Sequence, residues 1–346
     1  MDQQEQPIVV IGASAGGIKA LLTLVAELPA DFTGTVFVVV HIGASRSMLP
    51  VILGRSGPLP ASHAVDGERF EPGHIYVAPP DYHLVVGQDT IELSHGPREN
   101  YSRPAIDPLF RSAARAHEDR VTAVILSGAL SDGVAGLLAV KARGGTVIVQ
   151  DPQEAIVESM PTSALRSVQA DHVLPAQEIG RLLGGMTVVT GEAGEEIPVD
   201  PIADDEARIQ EDFTEQEHDR RRGEITMFTC PDCGGTLWQA GTGEYLHFRC
   251  HVGHTWGSEA LLGHKSEEIE AALWSSVRLL EERATLSRQV AARMRQSGQG
   301  DRRAGGVEEE AGLDERRADA IRQLLSASLV TPVVALAGDG KVNVAD

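Results

Sequence analysis

A doubly wound α/β domain with a mainly parallel sheet is the fold class predicted for the first half of this 346-residue chain, followed by a small zinc-ribbon-like module and an amphipathic helix. Three observations carry the prediction. Wholly apolar, β-branched runs alternate with helix-period segments up to about Thr190, the rhythm of a parallel sheet covered on both faces. All three cysteines fall between Cys230 and Cys250, close to two histidines. From Ser266 to Gln296, apolar residues recur at helical spacing among charges.

The elements follow in order. Ile8 to Ile11 reads as a short buried strand, and Ile18, Leu21, Leu22, Val25 and Leu28 give the next segment one apolar helical face. "TVFVVV", Thr35 to Val40, is a strand apolar on both faces. "HIYVAPP" predicts a further strand, and "HLVVGQDTIELS" a hairpin turning at Gly87 to Asp89. A helix is expected to begin at Asp107, with that carboxylate as cap and Pro108 at the first helical position. "VTAVILS" then reads as a strand, "GVAGLLAVKARGG" as a helix and "TVIVQ" as a strand. Helices around Pro161 to Val168 and Gln177 to Leu183 close the domain.

The expected organisation is a catalytic-type domain over 1–190, an acidic linker over 191–226, a ribbon module over 227–262, an amphipathic helix over 263–296 and a largely disordered tail over 297–346. The formal charge of −20 argues against a duplex-DNA surface. The polar start, MDQQEQPIVV, does not read as a signal peptide, and no apolar run reaches the roughly 18 residues of a membrane span. With an odd, clustered set of cysteines, the expected compartment is the reducing cytoplasm, without membrane insertion or nucleic-acid partner.

Gly12-Ala13-Ser14-Ala15-Gly16 satisfies G-x-S-x-G, a sharp strand-to-helix turn that presents a serine near helix amides. Alone, the same loop could cradle a phosphate. His41 follows the strand Thr35 to Val40, and Asp132 follows the strand beginning at Val121 and precedes a helix. Parallel strands share one carboxyl edge, so Ser14, His41 and Asp132 are expected to converge there as nucleophile, base and orienting carboxylate. His63, His74, His83 and His95 are the other candidate bases, although none follows so apolar a strand.

These residues carry a resemblance. Pro7 to Leu183 resembles the catalytic domain of CheB-type protein-glutamate methylesterases of bacterial chemotaxis. The matching stretches are "VVIGASAGGIKAL", "VVVHIGAS", "IYVAPPDYHL", "SRPAIDPLFRSAA", "VILSGALSDGVAGL" and "VQDPQEAIVESMPTSAL". The resemblance implies a serine hydrolase that cleaves γ-glutamyl methyl esters on methyl-accepting chemoreceptors, with glutamine deamidation as a companion reaction and no cofactor for catalysis. It implies Ser14 as nucleophile, His41 as general base and Asp132 as its orienting partner. The chain departs from the pattern at Ala15, where the family has threonine, and at Ala129 and Leu130, where it has a Met-Gly pair. The family's usual phospho-receiver domain is not expected before a first strand at Ile8, so control by aspartyl phosphorylation within this chain is not expected either. Two other readings stay open: an adaptor with an idle site, and a serine esterase for another protein ester.

In the module, Cys230-x-x-Cys233 with Gly234 and Gly235 forms a zinc knuckle. Cys250 and His254 would complete a closed tetrahedral Zn2+ site of structural role, with His251 as the rival fourth ligand.

Overall fold

The computed structural model describes residues 6–41, 47–185, 223–240, 246–297 and 301–327. Most of the expected acidic linker, and the chain beyond 327, lie outside the described residues. The first 185 residues run β1 (Ile8–Ala13), α1 (Gly17–Ala26), β2 (Thr35–Val40), α2 (Leu49–Ser56), β3 (Ala61–His63), β4 (Ile75–Val77), β5 (His83–Val86), β6 (Ile91–Ser94), α3 (Ile106–His117), β7 (Val121–Ile125), α4 (Val134–Ala142), β8 (Thr146–Gln150), α5 (Ser159–Ser167), β9 (His172–Leu174) and α6 (Ala176–Gly184).

Seven of these strands form one sheet in the order β3-β4-β2-β1-β7-β8-β9, every neighbouring pair parallel. The predicted doubly wound sheet is therefore present, and β5 with β6 forms the expected hairpin beside it. Strands β3 and β9, the two edges of the sheet, escape sequence reading because three residues carry no period and, unlike the wholly buried IYV of β4, ASH and HVL are half-buried or exposed.

Alternation along the central strands builds two cores. Ile8 and Val10 of β1, with Phe37 and Val39 of β2, pack beneath α3 and α4 against Leu109, Phe110 and Leu137. Val9 and Ile11, with Val36 and Val38, face the opposite way onto Leu21, Leu24 and Ile179 of α1 and α6. Each fully buried aliphatic side chain contributes about 1.5–3 kcal/mol, which is why these strands read as unbroken apolar runs.

Strand order reverses on the two sides of β1: the chain goes next to β2 on one side and only later returns to β7 on the other. Such a switch point leaves a crevice at the carboxyl ends of the strands. Two glycines make its first turn. At Gly12 a Cβ would lie 2.4 Å from Ile106 Cγ2, and Gly16 has φ of 77°, left-handed, directly before α1.

The second segment consists of β10 (Glu224–Thr229), β11 (Thr236–Ala240), β12 (His247–Cys250) and β13 (Thr255–Gly257), an antiparallel four-stranded sheet. It begins within the stretch expected to be linker. Helix α7 (Ser258–Gln296) follows without a break and starts earlier than expected, because Ala260 and Leu261 complete the ribbon's small core with Leu237, Phe248 and Trp256.

From Leu262 onward the chain forms a unit of its own. Within it, α8 (Asp301–Ala327) replaces part of the tail expected to be disordered. Ion pairs Arg283–Asp314, Arg288–Glu315 and Arg295–Glu308 run antiparallel along the two helices. Val277, Ala284 and Ala291 on α7, and Ala304, Ala311, Ala318 and Leu325 on α8, are buried at seven-residue intervals. No helix among the described residues is long and apolar enough to cross a membrane.

Candidate active site

β1 and β2 pair in register through Ala13 and Val40, and His41 N–H donates to Ala13 O at 3.1 Å. Ser14 and His41 therefore leave adjacent strands side by side at the carboxyl edge, where strands lie about 4.8 Å apart. Asp132 reaches the same edge from the loop after β7, and His41 Nε2 lies 2.7 Å from Asp132 Oδ2.

Asp132 is 2% exposed, and both of its oxygens accept hydrogen bonds. Its Oδ2 accepts Ile106 N–H at 2.7 Å besides the His41 bond. Its Oδ1 accepts the Asn100 side-chain amide at 2.9 Å, Gly133 N–H at 3.0 Å and Asp107 N–H at 3.3 Å. Burial alone would push this carboxyl up, but the hydrogen bond and charge of His41, with the Ile106 and Asn100 donors, bring it down to about 2. Asp132 is thus a fixed negative charge on the first turn of α3, where helix amides favour anions.

This corrects the expected cap of α3. The helix begins at Ile106 and has no side-chain cap of its own. Asp132 takes its first amides from outside, while the Asp107 side chain crosses to Gly136 N–H of α4 at 2.7 Å. Burial, and then the neighbouring charge of Asp132, hold the Asp107 carboxyl well above its ordinary range.

With Nε2 committed to Asp132, Nδ1 is the His41 nitrogen left for Ser14. Ser14 is half-buried, its N–H donating to Ser127 O at 3.0 Å and its carbonyl accepting Gly17 N–H at 2.9 Å. Among the described residues no hydrogen bond joins Ser14 Oγ to His41, and such bonds are commonly long before substrate arrives. Ala15 N–H, next to the serine in the chain, and Ala129 N–H, next to Gly128 whose added Cβ would lie 2.9 Å from Ser14 Cβ, meet no acceptor among the described residues. Leu130, where the family pattern has glycine, keeps φ at 66° and donates its N–H to Ser159 Oγ at 3.2 Å.

The other histidines are engaged elsewhere. His63 contacts Val77 O and Ser47 O, His74 pairs with Ser62, His83 is buried on Pro97 O, and His95 pairs with Asp81. Sequence reading missed Asn100 and Asp107 as parts of the carboxylate's surroundings. The available signal for Asn100 was its type, since asparagine tolerates the left-handed φ of 48° found there.

In the ribbon, the ligand atoms of Cys230, Cys233, Cys250 and His254 all lie within 4.8 Å of one another. Cys233 Sγ is 3.6 Å from Cys250 Sγ, and His254 Nδ1 is 3.4 Å from Cys250 Sγ and 3.7 Å from Cys230 Sγ. A tetrahedral zinc shell with Zn–S near 2.3 Å places its donors about 3.8 Å apart, so the set fits that ion. Burial, then the Cys230 charge, push the Cys250 thiol up to about 12, which makes the cluster a poor home for thiolates without a cation. His251 is exposed and stands outside the group.

Residues 9–183 match the family model for CheB methylesterase. A Leptospira interrogans protein provisionally named protein-glutamate methylesterase/protein-glutamine glutaminase is 43% identical over 176 residues, covering 50% of this chain and 91% of that protein. A Caulobacter vibrioides protein-glutamate methylesterase/protein-glutamine glutaminase is 41% identical over 179 residues, and the match spans 51% of its length. The crystal structure of the Thermotoga maritima CheB methylesterase catalytic domain superposes with a TM-score of 0.50 at 36% identity, covering 51% of this chain and 97% of that one.

Proposed function

The chain belongs to the CheB methylesterase family, and from that premise we propose that it hydrolyses glutamate γ-methyl esters on methyl-accepting chemoreceptors in the cytoplasm. The observation that carries this reading is the 2.7 Å His41–Asp132 pair at the switch-point edge, beside the serine of the G-x-S-x-G turn.

Ser14 Oγ attacks the ester carbonyl while His41 Nδ1 takes its proton. The Asp132 carboxylate stabilises the imidazolium so formed. Ala15 and Ala129 N–H donate to the oxyanion, an interaction that backbone amides supply whatever their side chains. The tetrahedral adduct collapses, the C–O bond to methoxide breaks, and His41 returns the proton to release methanol. Water, deprotonated by His41, then attacks the acyl-Ser14 ester and leaves a glutamate carboxyl and free serine. A glutamine side chain enters the same sequence with ammonia as leaving group, the companion activity that the relatives' names carry. No cofactor takes part.

We assign Cys230, Cys233, Cys250 and His254 to a structural Zn2+ ion, since four protein donors leave no open position for chemistry. One zinc per chain is expected, lost in His254→Ala and retained in His251→Ala.

The test of the main reading is methanol release from methyl-labelled receptor, with an activated phosphonate to mark the nucleophile. Ser14→Ala should abolish both release and labelling. Undiminished release from that variant refutes the proposal. The intact His41–Asp132 pairing speaks against the idle-adaptor alternative.

A further inference from the structure

One side-chain amide connects the ribbon to the catalytic carboxylate. Asn100, 6% exposed, lies in the loop between β6 and α3. Its Nδ2 donates to Asp132 Oδ1 at 2.9 Å and to Asp107 Oδ2 at 3.0 Å. Its Oδ1 accepts Gly257 N–H, the last residue of β13, at 2.7 Å. All three hydrogen-bonding positions used are therefore fixed, and an amide turned around would set its oxygen against the Asp132 carboxylate and its NH2 against Gly257 N–H.

The ribbon holds this loop as a strand would. Thr255 N–H donates to Arg98 O at 3.3 Å, Asn100 N–H donates to Thr255 O at 2.8 Å, and Glu99 bridges Thr255 in parallel sense. Trp256 faces Tyr101 with ring centroids 6.1 Å apart. On its other side Trp256 packs in one small core with Cys230 and Cys250. The metal-type cluster adjoins the same strand, since Cys250 N–H donates to His254 O at 3.0 Å and His254 immediately precedes Thr255. A second tether joins Ser163 of α5 to Glu259 at 2.6 Å.

We propose that Asn100 is a positioning residue through which the metal-loaded ribbon sets the geometry of Asp132, so that hydrolysis depends on the ribbon being docked. This rests on the hydrolase reading and goes beyond it: the ribbon completes the catalytic domain. Without metal, β13 loses the ordering that presents Thr255 and Gly257, the amide of Asn100 loses its clamp, and Asp132 keeps fewer donors to orient His41.

The test uses the full chain with its metal content measured. Asn100→Gly suits the left-handed φ of 48° and removes both ends of the clamp. Losing a charge-assisted hydrogen bond on Asp132 should lower kcat roughly tenfold or more, with KM and zinc content unchanged. Removing zinc from the wild-type chain by chelation should lower kcat similarly, and should lower it no further in Asn100→Gly. Unchanged kcat on metal removal, or losses that multiply between variant and chelation, overturn the proposal.

The readout that does not depend on turnover is the proton NMR signal of the His41 Nε2–H shared with Asp132. It should move on metal removal and in Asn100→Gly alike. If no hydrolysis is seen from any form, the hydrolase reading falls and this signal alone decides the coupling, an unmoved signal overturning it. Should Asn100→Gly fail to fold, Gly257→Pro removes the clamping N–H from the ribbon side. β13 is the edge strand of the ribbon, where proline is tolerated. The same two readouts then apply.

Discussion

Replacing Asp132 by asparagine tests the central geometry most directly. The wild-type carboxylate receives five N–H donors on two oxygens: His41 and Ile106 on Oδ2, and Asn100, Gly133 and Asp107 on Oδ1. An asparagine has one accepting oxygen, so its NH2 must face donors on one side or the other. Toward Oδ1 it would confront three fixed N–H groups. Toward Oδ2 it confronts Ile106 N–H and His41, and only His41 can respond, by accepting at Nε2 and carrying its proton on Nδ1. The variant therefore adopts the second arrangement, which places a proton on the nitrogen proposed as base. The loss expected for that tautomer inversion is on the order of 10⁴ in kcat. The stranded Ile106 N–H adds about 1–3 kcal/mol of destabilisation. The charge contributes as well: a carboxyl lowered from 3.8 to about 2 stabilises the fold by about 2 kcal/mol. Because the folded value lies below the ordinary one, that stability is present above about pH 4 and is lost as pH falls toward 2. Asp107, raised instead, acts in the opposite sense, its contribution fading as pH rises through its folded value. Methanol release measured against substrate concentration, with chemical denaturation from pH 7 to 2, checks both parts. A kcat within tenfold of wild type, or a stability gap that does not narrow in acid, would refute the reasoning.

Three further substitutions probe the surroundings. In Gly128→Ala the new Cβ would lie 2.3 Å from Met160 Cε and 2.9 Å from Ser14 Cβ, so the proposed nucleophile should shift and kcat fall roughly a hundredfold, read by the same methanol assay. Leu130→Gly should relieve a left-handed φ of 66° that costs a non-glycine residue about 1–2 kcal/mol, offset by about 0.5–1 kcal/mol of glycine entropy. Thermal unfolding should show equal or slightly higher stability, with activity retained. Arg111→Met removes the ion pair that Arg111 makes with buried Glu99 at 2.7 Å, and urea titration should show a loss of about 3–5 kcal/mol.

The sheet and its rim were legible because burial on both faces writes itself as unbroken apolar strands. Ile8 to Ile11 and Thr35 to Val40 need no context to be recognised. The convergence of Ser14, His41 and Asp132 follows from strand parity and one shared edge, without knowledge of any side-chain contact. What the sequence hid depends on long-range pairing. Asp107 looks like a local cap, yet α3 is capped from across the site by Asp132, a partner 25 or 26 residues away in the chain. Asn100 sits in a loop with no period, and its partner Gly257 lies 157 residues downstream. The helix α8 was missed for a different reason. Its buried stripe is nearly all alanine, and Gly305, Gly306 and Gly312 lower its helix propensity, so "GQGDRRAGG" carries the composition of disorder although Ala304, Ala311 and Ala318 are buried.

The departures from the family pattern leave the His41–Asp132 pair alone. Ala15 and Ala129 alter side chains at positions whose proposed contribution is a backbone N–H. Leu130 occupies a turn fixed by other bonds: Gly128 N–H on Val157 O at 3.1 Å and Leu130 N–H on Ser159 Oγ. Four of the five donors on Asp132 belong to backbone or to the clamped Asn100 amide and do not change when His41 gains a proton. In the proposed reaction the imidazolium forms against a charge whose surroundings are already set, which is the condition under which a buried dipole array lowers a barrier instead of having to reorganise during the reaction. A site built this way tolerates changed side chains at the oxyanion turn. It should not tolerate loosening of α3 or of the loop that carries Asn100.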